Sequence, residues 1–162
     1  MNVMATVSPP RLDGAALEAW RSYLRSHATI LRELDAELVA GHGLTTRDYE
    51  VLLVLANAPE RQLAMSALAE NTMLTRSGIT RLVDGLVRGG LIERRACARD
   101  ARVSYAALTE AGFETLRRAG ESHVASIQRL FLSHFSEREI EQLATLLSRL
   151  PGAAGGGSCS VE

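Results

Sequence analysis

From Asp13 to about Ala40, leucines recur every seven residues at 17, 24, 31 and 38, and Trp20, His27 and Leu34 occupy the positions between them. On a helical period these side chains fall on one stripe, so the segment is expected to be a long amphipathic helix with a coiled-coil-like seam. The run GHG at 41–43 breaks it, and Thr45 is placed to cap the next helix. The stretch VLLVLA at 51–56 has few polar positions, which makes that second helix a buried one. After a loop NAPERQ at 57–62, a short helix is expected around Met65 to Asn71, with Leu68 and Ala69 toward the core. A turn over Thr72 to Leu74 leads to Thr75, which can cap a helix running to about Arg88.

That helix has two unlike faces. Ile79, Leu82, Val83 and Leu86 form an apolar stripe, and Arg76, Ser77, Thr80, Arg81 and Asp84 lie opposite. Gly89 and Gly90 end it. The segments 91–95 (LIERR) and 103–108 (VSYAAL) are expected to be two short strands joined by the basic tip ACARDAR. Thr109 opens a helix carrying Phe113, Leu116, His123, Ile127, Leu130 and His134 at roughly seven-residue spacing. Ser136 and Glu139 form a capping box for a last helix with Ile140, Leu143, Leu147 and Leu150 on one stripe. Residues 1–12 and 151–162 are unpatterned and are expected to be a flexible start and tail. Residues 13–150 are expected to form a single domain.

Composition narrows the classes. The chain has 162 residues, 46% of them hydrophobic and 23% charged, which fits one globular domain with its own core. No stretch approaches a bilayer span, and the start lacks a signal-peptide pattern, so a cytoplasmic protein without membrane partners is expected. Cys97 and Cys159 show neither CxxC nor Cys/His ligand spacing, which argues against a disulfide framework or a zinc site. Isolated histidines on helix seams (His27, His42, His123, His134) form no ligand cluster, and no Ser/His/Asp or Cys/His motif occurs. Neither enzyme chemistry nor a cofactor is expected.

The net charge of -1 gives no overall attraction to nucleic acid, but its distribution is uneven. Residues 76–102 hold seven arginines against three acids, a local charge of +4, whereas the segments on either side are net acidic. All eighteen basic residues are arginine, whose planar forks suit phosphates and guanine edges. Two helices joined by a tight turn set the second across the first, so that its polar face forms a ridge fitting the major groove. Thr75, Arg76, Ser77, Thr80 and Arg81 make up that ridge. Arg94, Arg95, Arg99 and Arg102 lie on the following hairpin, facing the flanking backbone or a minor groove. A carboxylate on this face is repelled by phosphate, so Asp84 is expected to orient an arginine instead. The expected partner is double-stranded DNA.

The residues LTRSGITRLVDGLVRGGLIERR (74–95) and DARVSYAALTEAG (100–112) resemble the MarR family of bacterial winged helix-turn-helix regulators. The family's wing signature is matched by Asp100, Arg102, Leu108, Thr109 and Gly112, and the likeness extends over about residues 13–150. It implies a mainly α fold, a winged helix-turn-helix with a two-stranded β wing and a helical dimerisation region from both ends of the chain. On that reading residues 13–44 and 110–150 are the dimerisation helices and 45–109 the DNA-binding part. The resemblance also implies an obligate homodimer whose wing arginine reaches the minor groove. Two leucine seams that need a partner surface agree with it, and twofold symmetry predicts a palindromic operator. Met73 departs from a turn glycine common in the family. Gly78 and Gly85 inside the recognition helix each cost roughly 1 kcal/mol against alanine.

Members of this family commonly release DNA when a small aromatic acid binds between the dimer helices and the winged domain. Trp20, Arg21, Arg25 and Tyr49 are candidates for an aromatic wall and a cationic handle; Trp20, on the apolar seam, equally suits a core position. The function expected is a ligand-responsive repressor. Its alternatives are a redox-responsive repressor acting through Cys97, which lies between Arg95 and Arg99, and a dimeric interaction module without a DNA surface.

Overall fold

The computed structural model describes residues 12–72, 74–96 and 103–152. Two compact units divide the chain, Met1–Glu33 and Leu34–Glu162. Helix α1 (Gly14–His42) begins in the first and ends in the second. Within the first, the Trp20 and Tyr23 rings stack with centroids 6.1 Å apart, and Tyr23 and His27 with centroids 5.8 Å apart. Trp20, Leu24 and Leu31 of the heptad seam are exposed, as is Tyr23 beside them, so this part of the seam carries apolar side chains that no described residue covers.

In the second unit Leu34 and Leu38 are buried, and α1 stops where Gly43 takes a left-handed φ of 66° that only glycine adopts without strain. The helix thus continues two residues beyond Ala40, through the first of the two glycines in GHG. Helix α2 (Thr46–Ala56) opens with a reciprocal cap: Asp48 N–H donates to Thr45 Oγ1 (3.1 Å), and Thr45 N–H donates to Asp48 Oδ2 (2.9 Å). Asp35 accepts from both the backbone N–H and the hydroxyl of Thr46, each at 2.8 Å, and these bonds hold its pKa below the usual carboxylate value. Val51, Leu52 and Leu55 of α2 are completely buried, as their unbroken apolar run required.

The chain then makes a 3-10 turn at Pro59–Arg61 and a strand β1 (Gln62–Ala64), followed by α3 (Met65–Asn71) and α4 (Arg76–Arg88). Strands β2 (Ile92–Ala96) and β3 (Ser104–Leu108) follow, then α5 (Glu110–Leu130) and α6 (Glu137–Leu147). One core joins α1 to α5 and the sheet: Leu68 from α3, Ile79 and Val83 from α4, Ile92 from β2, Ala106 from β3 and Leu116 from α5 pack with Leu38 of α1 and Leu52 and Leu55 of α2.

Three details differ from the sequence expectations. The sheet has three antiparallel strands in the order β1-β3-β2 rather than two, with Leu63 opposite Ala106 on one side and Arg94 opposite Ala106 on the other. A three-residue strand is too short to show alternation, which is why 57–62 reads as a loop. His134 is not on α5, which ends at Leu130; it closes a 3-10 turn at Leu132–His134. Leu150 lies beyond the end of α6. The cap of α6 is as expected, with Ser136 N–H donating to Glu139 at 2.8 Å; that bond lowers the Glu139 pKa.

Candidate nucleic-acid interface

Helix α4 is displayed by the residues that bury its other face. Ile79, Val83 and Leu86 are in the core, and the turn before it is fixed by Thr72, a fully buried polar residue whose hydroxyl donates to Leu68 O at 2.8 Å. Leu74 N–H donates to Ala69 O at 3.2 Å across the same turn. Thr75 caps α4 by accepting from Gly78 N–H at 3.1 Å. Its hydroxyl is therefore engaged by the helix end, and it lies 3.3 Å from Ser77 Oγ.

Ser77, Thr80 and Arg81 are exposed on the outer face, in the register the apolar stripe dictated. Arg76 is the first residue of α4. Among the described residues, Arg81 makes no ion pair. Arg88 Nε donates to Asp84 O at 3.3 Å, and the Arg94 guanidinium donates to Asp84 Oδ1 at 2.7 Å. Asp84 thus orients an arginine, as its placement on this face implied. Arg95 is engaged by Glu93 within β2 (2.8 Å from Nε) and by Gln62 of β1 (3.4 Å). Two of the three acids in the basic segment are therefore spent on two of its arginines. Arg99, Arg102 and Cys97 lie outside the described residues.

The hairpin root is tied to α5 by a set of contacts that sequence reasoning saw only as a motif. Thr109 N–H donates to Leu91 O at 3.1 Å, the Thr109 hydroxyl donates to Gly90 O at 2.7 Å, and the same hydroxyl accepts from Gly112 N–H at 3.0 Å. A Cβ on Gly112 would lie 2.1 Å from Leu91 O, so glycine is the residue that lets α5 and β2 meet. On the other side, the Arg61 guanidinium lies 3.7 Å from the Phe113 ring centroid and pairs with Glu110 at 3.3 Å.

The candidate effector residues fall in both units. Trp20, Arg21 and Arg25 are exposed on α1 within the first, and among the described residues neither arginine makes an ion pair. Tyr49 is buried in the second, where its ring packs on His123 at 4.8 Å between centroids. His123 has a buried Nδ1 without a hydrogen-bond partner among the described residues, and burial pushes its pKa down. Nearby, Glu37 accepts from Ser126 and Arg129, which hold its pKa low, and His42 Nε2 bonds Ser122 Oγ at 2.7 Å. Among the described residues no group of three His, Cys, Asp or Glu is arranged to hold a metal ion. No described helix is long and apolar enough to cross a membrane.

Comparison with known proteins supplies the context of this geometry. Residues 42–103 match the model of the MarR family. The MarR family regulator AbsC of Streptomyces coelicolor is 31% identical, superposes with a TM-score of 0.79, and the match covers 86% of this chain and 93% of AbsC. The chain belongs to the MarR family. A second Streptomyces coelicolor member, solved in complex with DNA, is 29% identical with a TM-score of 0.80, the match covering 88% of this chain and 89% of that one. The transcriptional repressor YetL of Bacillus subtilis is 30% identical over 68% of this chain, a stretch that spans 66% of YetL. This MarR-family chain is a DNA-binding transcriptional regulator with a winged helix fold, not an enzyme.

Proposed function

We propose that this regulator is a homodimer that occupies a palindromic operator and is released from it by a small aromatic acid, acting as a repressor. The observation that carries the DNA reading is the outer face of α4, where Arg81 is exposed and makes no ion pair among the described residues, beside Ser77 and Thr80, while Ile79, Val83 and Leu86 anchor the helix from behind. On this reading Thr75, Arg76, Ser77, Thr80 and Arg81 enter the major groove, where an arginine addresses the acceptor edge of guanine and threonine addresses a base edge or phosphate. Arg99 and Arg102 extend to the flanking minor groove, and Arg95 lies at the backbone rim.

Dimerisation is supported by the exposed apolar side chains of α1 (Trp20, Tyr23, Leu24, Leu31) and by Leu146, Leu147 and Leu150 at the other end of the chain. Two copies related by a twofold axis present two α4 helices to half-sites one helical turn apart, about 34 Å. The effector reading rests on Trp20 with Arg21 and Arg25, an indole and two cations on one exposed helical stretch. It requires the ligand to favour the conformation that cannot bind DNA.

The deciding experiment is capture of genomic fragments by the purified protein, followed by binding to the recovered site at rising salt. Specific binding that weakens steeply as counterions are released is expected. Arg81→Ala and Arg76→Ala are expected to relax base preference by about 1–3 kcal/mol per lost contact, and Arg102→Ala to weaken all sequences alike. Failure to retain any fragment at low ionic strength, or a strictly monomeric protein, refutes the reading. The chain's single tryptophan gives a fluorescence titration for effectors. Silence across phenolic acids removes the aromatic-acid part.

A further inference from the structure

The Asp84–Arg94 pair is a side-chain link between α4 and β2. The two elements are joined by Gly89, Gly90 and Leu91, with Gly90 at a left-handed φ of 71° that turns the chain back toward the helix. At the root the strand is fixed: Leu91 N–H donates to Leu86 O at 3.0 Å and Ile92 is buried. Beyond Ile92 every residue of β2 is exposed, and the strand is held to the core only through its ladder to β3, which runs from Ile92 opposite Leu108 to Ala96 opposite Ser104. Arg94 is the second residue past that root, and its guanidinium crosses to Asp84 Oδ1 at 2.7 Å. Asp84 stands one helical turn beyond Arg81 on the face offered to DNA.

A carboxylate there is repelled by phosphate and opposes binding unless it does something else. As a surface pair, with the two side chains 53% and 34% exposed, it adds little to folding. What it does change is geometry, because a guanidinium fork has a fixed shape and a carboxylate on a helix has a fixed place. The geometry points to Asp84 and Arg94 as a positioning pair that clamps the recognition helix to the wing strand beyond its packed root, adding to the hold of the β3 ladder, and so determines sequence specificity rather than affinity. Arg94 is on this view not an independent phosphate contact. With the wing held, both reading elements fit one duplex geometry; with it loose, each docks separately on many sequences. The inference rests on the DNA-binding reading, and the test separates the two.

The test is a double-mutant cycle with Asp84→Asn and Arg94→Gln, scored as the ratio of affinities for the captured operator and for a random duplex of equal length. The expected result is a fall in that ratio of about tenfold in each single variant and the same fall, not its square, in the double variant, because one interaction is lost once. Asp84→Glu, which keeps a carboxylate, is expected to recover part of the ratio. If the charges act only through space, Asp84→Asn tightens and Arg94→Gln weakens binding to both duplexes with the ratio unchanged, and the inference is overturned. An arm without DNA uses amide hydrogen exchange: residues 92–96 are expected to exchange faster in Asp84→Asn while α5 keeps its protection. Unchanged exchange overturns the positioning pair even where operator binding is intact. A parent protein that binds no DNA sinks the functional reading, while the exchange arm still decides the pair.

Discussion

Replacing Gly112 by alanine tests the joint between α5 and the wing root. The added methyl carbon would lie 2.1 Å from Leu91 O, 3.0 Å from Leu91 C and 2.8 Å from a Leu108 methyl. Two of those atoms are backbone, so no side-chain rotation clears the space. Leu91 O also accepts the Thr109 N–H bond at 3.1 Å, and moving it away stretches that bond. Overpacking of a closed site costs about 1–3 kcal/mol, and a weakened hydrogen bond adds roughly 1 kcal/mol. Against this stands a helix-propensity gain of up to ~1 kcal/mol for alanine over glycine, leaving a net loss of about 1–3 kcal/mol. A chain of this size loses roughly 2–4 °C in Tm per kcal/mol, so a drop of about 2–12 °C is expected. The assay is thermal and urea unfolding by circular dichroism at one fixed protein concentration, since association would make Tm concentration-dependent. Gly120→Ala is the control, because its Cβ would meet Tyr49 Oη at an ordinary 3.4 Å. A Gly112→Ala variant as stable as the parent would refute the close-approach argument.

Other substitutions probe separate parts of the fold. Glu60 holds a left-handed φ of 52° without being glycine, so Glu60→Gly is expected to leave stability unchanged or raise it by up to about 1 kcal/mol, measured by urea unfolding; a clear loss would show that its bond to Gln62 matters more. Thr75→Ala removes the α4 cap and is expected to cost about 1 kcal/mol; an unchanged midpoint would contradict it. Burial lowers the His123 pKa below its unfolded value of about 6.5, so the unfolded chain takes up the proton first. The stability His123 contributes is therefore complete above that unfolded value and is lost as pH falls through it toward the folded pKa. Urea titrations between pH 5 and 7 should show this slope in the parent and a shallower one in His123→Phe; equal slopes would exclude His123 as the source.

Much of the fold was legible because periodicity and caps agreed. Thr75, Gly89 and the stripe Ile79, Val83, Leu86 define α4 at both ends and in its rotation, so the outward placement of Ser77, Thr80 and Arg81 follows from the sequence. The same logic placed Asp84 beside an arginine but could not choose Arg94, because that choice depends on how two glycines turn the chain. Strand β1 escaped because three residues carry no period, and the stacking of Arg61 on Phe113 joins positions far apart in the chain. Arg94 and Arg95 looked equivalent to Arg81 by charge count. The distinction is tertiary: Asp84 and Glu93 engage the first two, while the third makes no ion pair among the described residues.

The joint at Leu91, Thr109 and Gly112 leaves no slack between the first turn of α5 and the base of the β-hairpin. A tilt of that long helix at its first turn bears directly on Leu91, because Thr109 bonds its carbonyl and Gly112 leaves no room for so much as a methyl group beside it. A push on α5 is therefore handed first to Leu91, the pivot from which β2 departs.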